Sequence, residues 1–217
     1  MTDQNFKSMR NAMVESQLRT SDVNDPRVIA AMARVPREAF LPTERQALAY
    51  IDRPVKLSEG RSINPPLATG RLLTEAELRM DDNVLLIGAA TGYCAALLSD
   101  MVASVVAVEE DEALLSRARA VLAGYGNVTL FAGPLAQGSR QFAPYSLILI
   151  DGAVEEIPSA IIDQLSDGGR LTTALVDNGV TRLSLGRKSS GAFGIASFAD
   201  CETVILPGFA KPESFIF

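Results

Sequence analysis

Histidine is missing altogether from the 217 residues. That excludes Ser-His-Asp triads, histidine-liganded zinc or iron, and imidazole acid–base catalysis. Whatever chemistry the chain performs must use carboxylates, hydroxyls, amides or a bound cofactor. Cysteine is scarce as well. Cys94 and Cys201 make neither a disulfide framework nor a metal cluster, and they read as reduced core thiols. No uncharged apolar run approaches the roughly 20 residues needed to cross a bilayer. The opening MTDQNFKSMRNAM also lacks a long apolar stretch, so a soluble, cytoplasmic protein is expected. An excess of positive charge is missing too: the net charge is −6, which gives no global attraction to nucleic acid or anionic lipid. What is present is 47% hydrophobic and 21% charged, with length enough for one domain and a full core.

The N-terminal third reads as helical. In DPRVIAAMARVP the residues Val28, Ile29, Met32 and Val35 recur at helix spacing, with Asp25 as N-cap, Pro26 in the first turn and Pro36 closing the segment. A less regular stretch runs from Phe40 to about Pro66, and a second helical run starts near Leu67 and ends before Asp81. From there the pattern alternates. Strands are expected at Asn83–Gly88, Val102–Glu109, Asn127–Ala132, Tyr145–Asp151 and Gly169–Leu175. Helices are expected at Gly92–Met101, Asp111–Gly124 and Ile157–Leu165. Two further β-like stretches, Thr181–Arg187 and Glu202–Leu206, end the pattern. Strand and helix in alternation with short links imply an α/β fold with a doubly wound, mostly parallel sheet.

In such sheets ligands bind at the carboxyl ends of the strands, beside the switch in strand order. The first of these strands ends in GAATGY, Gly88 to Tyr93. A glycine-ended turn lets backbone approach a ligand closely, and a helix N-terminus follows it. About twenty residues on, the next strand ends at Glu109, where a carboxylate can accept both ribose hydroxyls of a nucleoside. A tight strand–helix turn beside an exposed glutamate explains these residues equally well.

The surrounding blocks carry a resemblance. MVESQLR (13–19), RVIAAMARVPREAFLP (27–42), AYIDRPV (49–55), GRSINPP (60–66), VLLIGAATGY (84–93), APYSLILIDGAVEEIP (143–158) and LSDGGRL (165–171) follow one another in an informative order. In order and spacing they resemble the protein-L-isoaspartate O-methyltransferases, from about Met13 to Leu171. The resemblance implies the Rossmann-like fold of the S-adenosylmethionine (SAM) dependent methyltransferases. It also implies SAM as cofactor and a protein or peptide substrate bearing an isoaspartyl residue, with a protein-repair role. Residues 1–80 would form an N-terminal helical, substrate-side segment and residues 81–217 a SAM-binding core. Gly88, Ala89 and Gly92 would shape the cofactor turn and Glu109 would hold the ribose. The reaction suits a chain without histidine, because a substrate carboxylate is already ionised near pH 7 and needs no general base. The protein has to hold carboxylate and methyl group in line with little water.

The chain departs from the family pattern at several of these positions. A T-I-S-Q-P type segment appears as Ser62-Ile63-Asn64-Pro65-Pro66, so the family serine falls on Asn64. Asn64 and Ser62 are the candidates to position the substrate carboxylate, although Asn64 is equally a turn residue before two prolines. An acidic position in the first strand is Leu86, the second glycine of the turn is Ala90, and a G-D-G type turn reads Gly133-Pro134-Leu135. Asp151, at the end of the fourth strand, is a candidate to face the cofactor's ammonium or sulfonium; a loop cap before Gly152 is the plainer reading. Arg34, Arg37 and Arg45 are expected on an exposed helical face, and Phe209, Phe215 and Phe217 as packing residues of the tail. Three functions therefore stand side by side: an active carboxyl methyltransferase, a catalytically degenerate relative serving as a binding or scaffold module, and a methyltransferase redirected to a small molecule.

Overall fold

In the computed structural model, which describes residues 2–211, the chain opens with helix α1 (Asp3–Met13) and a π-helical turn at Val14–Leu18. Helix α2 (Pro26–Arg34) follows. Asp25 caps α2 by accepting a hydrogen bond from the Arg27 N–H at 2.8 Å, and Pro26 contributes a fixed φ where no N–H is needed. The helix ends at Val35, which Pro36 holds in an extended conformation. Val28, Ile29, Ala31 and Met32 form its buried face.

The stretch that looks irregular in sequence contains a small hairpin. Strand β1 (Val55–Ser58) pairs antiparallel with β2 (Arg61–Ile63), with a register shift between Lys56 and Ser58. It stands apart from the main sheet as a separate two-stranded ribbon. Helix α3 (Pro66–Glu75) leads to the main sheet.

That sheet is built from β3 (Asn83–Ile87), β4 (Ser104–Glu109), β5 (Val128–Ala132), β6 (Tyr145–Val154), β7 (Leu165–Asp177), β8 (Val180–Ser189) and β9 (Ala192–Asp200). The spatial order is β5-β4-β3-β6-β7-β8-β9, parallel from β5 through β7 and antiparallel through β8 and β9. Helices α4 (Tyr93–Leu98), α5 (Glu112–Val121) and α6 (Ser159–Ile162) fall between the parallel strands. The doubly wound, mostly parallel architecture expected from the sequence is what forms.

The apolar runs of β3 and β6 are continuous because both faces are covered. Val84, Leu86, Leu147 and Leu149 belong to the core shared with α1, α2 and α4. Leu85, Ile87, Ile148 and Ile150 belong to a second core on the other face, with Leu171, Leu206 and Phe209. At the amino ends of the strands, Asp82 accepts from Arg170 Nη2 at 2.5 Å and from Ser146 Oγ at 2.7 Å.

Three sequence expectations need correction. The segment Glu202–Leu206 is not a strand; within it Ile205 makes one isolated bridge to Ala153, and the last strand is β9, upstream. Two turns define that end of the sheet. Asn178-Gly179 and Ser190-Gly191 both adopt paired positive φ angles, the geometry of tight hairpins. The expected helix over 157–165 is a single turn, because Leu165 already pairs with Tyr145 in β7. Arg37 is not on an exposed face but fully buried, as its bonding below explains. Phe215 and Phe217 lie outside the described residues.

Candidate active site

Strand order reverses beside β3: β4 lies on one side of it and β6 on the other. The turn after β3 and the end of β6 therefore meet at the switch point, which is where an open α/β sheet offers a crevice. Gly88, at φ +80°, makes the first bend, and Gly92, at φ +95°, precedes helix α4. Ala90 sits between them at φ +50°, a left-handed conformation that a residue with a Cβ adopts at a cost of about 1–2 kcal/mol. The glycine-like backbone of the turn is kept although the glycine is not.

The N–H groups of this turn are turned inward. Those of Gly88 and Ala89 both donate to Val108 O, at 3.1 and 3.0 Å, and that of Gly92 donates to Ala89 O at 2.8 Å. The Ala90 N–H donates to Glu109 Oε2 at 2.7 Å. Glu109 itself, at the carboxyl end of β4, is completely buried. Its Oε1 accepts from the N–H groups of Glu110 and Asp111, both at 3.0 Å, and from Arg61 Nη1. Its Oε2 also accepts from Arg61 Nη2 at 2.8 Å. Every direction from which the carboxylate could receive a hydroxyl is thus taken by the chain's own donors. Arg61 was missed in the sequence; its one signal there is an arginine immediately before the Ser62–Pro66 segment.

Asn64 and Asp151 meet on the other side of the turn. Asn64 Nδ2 donates to Asp151 Oδ1 at 2.7 Å, and Asn64 Oδ1 accepts from the Val204 N–H at 2.8 Å. The backbone oxygen of Asn64 accepts from Arg37 Nη2, while Arg37 Nε donates to Ala49 O at 2.7 Å. The Arg37 guanidinium also stacks over the Tyr93 ring, 4.8 Å from its centroid. This is why Arg37 is buried: it staples the Asn64 segment to the domain. Burial raises the Asp151 carboxyl above its usual range, against the Asn64 hydrogen bond and the charges of Arg37 and Arg61. Burial likewise pushes the Cys94 thiol well up, with Asp151 adding to it, and the Tyr93 hydroxyl to about 12. Tyr93 OH and Thr91 Oγ1 are buried with no hydrogen-bond partner among the described residues.

Ser62, Asn64, Gly88, Ala89 and Asp151 therefore line one enclosed cavity, which has a volume of about 10 Å³. Gly92 and Glu109 stand behind it, linked to it through Ala90. A cavity of this size holds about one water molecule, whereas small-molecule sites run to about 300–1,000 Å³. Beside it, Leu206 packs against Gly88 and Gly152. A Cβ on Gly88 would lie 2.9 Å from Leu206 Cδ1, and one on Gly152 would lie 2.6 Å from Leu206 Cγ. The residues as arranged do not accommodate SAM. Leu86, where the resemblance has an acidic residue, is pure core. In the Gly133-Pro134-Leu135 turn, the Leu135 N–H is drawn to Glu110 Oε2 at 3.4 Å. A larger cavity of about 590 Å³ lies at the carboxyl end of β5, lined by Phe131, Gly133, Pro134 and Arg140 among others, and neither the β3 turn nor Glu109 reaches it.

Comparison with known proteins gives a consistent picture. A model of the family described as Protein-L-isoaspartate(D-aspartate) O-methyltransferase (PCMT) matches residues 8–208. A protein-L-isoaspartate O-methyltransferase of Methanoculleus marisnigri is 42% identical over 164 residues, covering 75% of this chain and 74% of that protein. The one of Koribacter versatilis is 35% identical over 205 residues, covering 94% and 92%. A solved protein-L-isoaspartate O-methyltransferase superposes with a TM-score of 0.79 at 23% identity, over 92% of this chain and 66% of that one. A putative Plasmodium falciparum enzyme in complex with S-adenosyl-L-homocysteine (SAH) superposes with a TM-score of 0.75 at 18% identity, over 91% and 97%. These two structures speak for the fold.

Proposed function

Because the chain belongs to the protein-L-isoaspartate(D-aspartate) O-methyltransferase family, we propose that it is a SAM-dependent carboxyl O-methyltransferase that repairs damaged proteins by methylating their isoaspartyl residues. One observation carries the reading. The family match spans nearly the whole described chain, and within it Glu109 and the Gly88–Gly92 turn stand together at the switch point.

The geometry supports the following roles for individual residues. The main-chain donors of Ala90, Glu110 and Asp111 fix the Glu109 carboxylate in place, so it is oriented before any ligand arrives. Gly88, Ala89 and Gly92 set the path of the turn, and Asp151 stands at the β6 side of it. Both ends of the Asn64 amide are engaged by Asp151 and Val204, so Asn64 serves to fix its segment. Ser62, whose side chain has no such commitment among the described residues, is the donor for a substrate carboxylate. Residues 1–80 form the substrate side. An isoaspartyl carboxylate is ionised at neutral pH, so the absence of histidine places no obstacle. The unpaired Cys94 and Cys201 suit a reducing, cytoplasmic setting.

The test is methyl incorporation from labelled SAM into an isoaspartyl peptide, with the aspartyl isomer as control. Incorporation confined to the isoaspartyl peptide is expected. Equal background on both peptides would overturn the reading and turn the search to protein partners.

A further inference from the structure

We infer that Arg61 is an intramolecular competitor of the cofactor, holding the ribose-binding carboxylate closed in the resting protein. The inference rests on the methyltransferase reading above and concerns what governs entry to that site.

The chemistry of the two occupants is the same. A vicinal diol presents two hydroxyl donors to a carboxylate, one to each oxygen. A guanidinium presents two N–H donors in a planar fork with the same pattern. Arg61 makes that fork to Glu109, Nη1 to Oε1 and Nη2 to Oε2, with both residues buried. Glu109 cannot serve both at once. When Arg61 leaves, the N–H groups of Ala90, Glu110 and Asp111 still hold the carboxylate in position for a ligand.

The element that carries Arg61 is suited to moving. Strand β2 is three residues long and pairs only with β1, outside the seven-stranded sheet. A two-stranded ribbon alone is marginally stable. It is bent at Gly60, φ +70°, where an added Cβ would meet nothing within 4 Å. On the body of the protein it is tied by Ser58 Oγ to Asp111 Oδ2, at 2.9 Å, and by Arg45 to Lys56 O, while Val55 and Ile63 anchor its two strands in the core shared with α1 and α2. The part free to move is therefore the Arg61 side chain with the Gly60 turn, whose displacement breaks no hydrogen bond of the main sheet.

The test is calorimetric titration of SAH into the full chain, wild type against Arg61→Gln, with Arg61→Gln/Glu109→Gln as control. Glutamine keeps one donor for Glu109, so the carboxylate is not left bare. If the closed state dominates, its removal raises the apparent affinity by the inverse of the competent fraction. Arg61→Gln should bind SAH at least about tenfold more tightly than wild type, and the added Glu109→Gln should abolish the gain. Equal or weaker binding by Arg61→Gln, with wild type binding well, overturns the inference and leaves the methyltransferase reading intact. No binding by any folded variant overturns both. A second measurement needs no variant: arginine modification by a dicarbonyl reagent, read by mass spectrometry. Arg61 should be protected in the ligand-free wild type and react at saturating SAH. Equal reactivity in both states overturns the inference.

Discussion

Replacing Glu109 by glutamine should cost about 3–5 kcal/mol of folding stability, the range for removing one partner of a buried ion pair. The change is nearly isosteric, so no cavity contributes. What changes is the donor–acceptor pattern. Oε1 accepts from Arg61, Glu110 and Asp111, and Oε2 accepts from Arg61 and Ala90. The amide nitrogen does least damage on the Oε2 side, where it opposes two donors rather than three. Arg61 Nη2 and the Ala90 N–H are then unsatisfied, at about 1–3 kcal/mol each if taken singly. The Arg61 charge, 6% exposed, also loses its counterion. These losses overlap, because the groups form one network, so they do not sum. For a chain of this size the loss should lower Tm by about 6–20 °C. Urea unfolding of wild type, Glu109→Gln, Arg61→Gln and the double variant measures the pair directly, with a coupling of about 2–3 kcal/mol expected. A cost for Glu109→Gln below about 1 kcal/mol is the value of an exposed pair. It would show the carboxylate solvated in solution and refute the closed arrangement.

Two other perturbations probe the same region. Burial gives Asp151 a folded-state pKa above its ordinary 3.8, so the folded protein holds the proton more tightly than the unfolded chain. Asp151 thus makes wild-type stability fall as pH rises from about 4 through the folded pKa. Asp151→Asn, which keeps an acceptor for Asn64, should lose less Tm between pH 4 and pH 8 than wild type does; an identical loss would show that Asp151 titrates normally. Gly92→Ala should destabilise by about 2–4 kcal/mol, from a strained φ and from overpacking. The new Cβ would lie 2.6 Å from Leu122 Cδ1. Adding Leu122→Ala relieves the overlap and not the φ strain, so denaturant titration should recover part of the loss relative to Leu122→Ala alone, and complete recovery would contradict the assignment.

Local sequence was sufficient wherever the physical signal is itself local. The Asp25-Pro26 start and the Pro36 stop of α2 follow from capping and from proline's fixed φ, and both form as read. The run Asn83–Ile87 names a strand buried on both faces, and its alternate residues do enter two different cores. The same holds for the turn at Gly88 and for the acidic residue ending β4, since strand period and glycine placement locate both. Where the signal was weaker the reading slipped. The stretch Thr181–Arg187 does form β8, but β9 is not legible: the Ser190-Gly191 turn is a hairpin signature, yet the half-polar strand after it lacks strong alternation.

The sequence by itself determined the architecture, the family and the position of the switch-point crevice, because each depends on periodicity or on motifs contiguous in the chain. Only the tertiary structure decided whether that crevice is open. Arg61 reaches Glu109 across 48 residues, Asn64 reaches Asp151 across 87 and Val204 reaches Asn64 across 140. Arg37, an expected surface cation, became the buried staple of the Asn64 segment because two backbone oxygens and the Tyr93 ring converge on it. Long-range partners of this kind leave no period and no spacing in the chain. They are chosen when packing removes water and each buried polar group must find a donor or acceptor within reach.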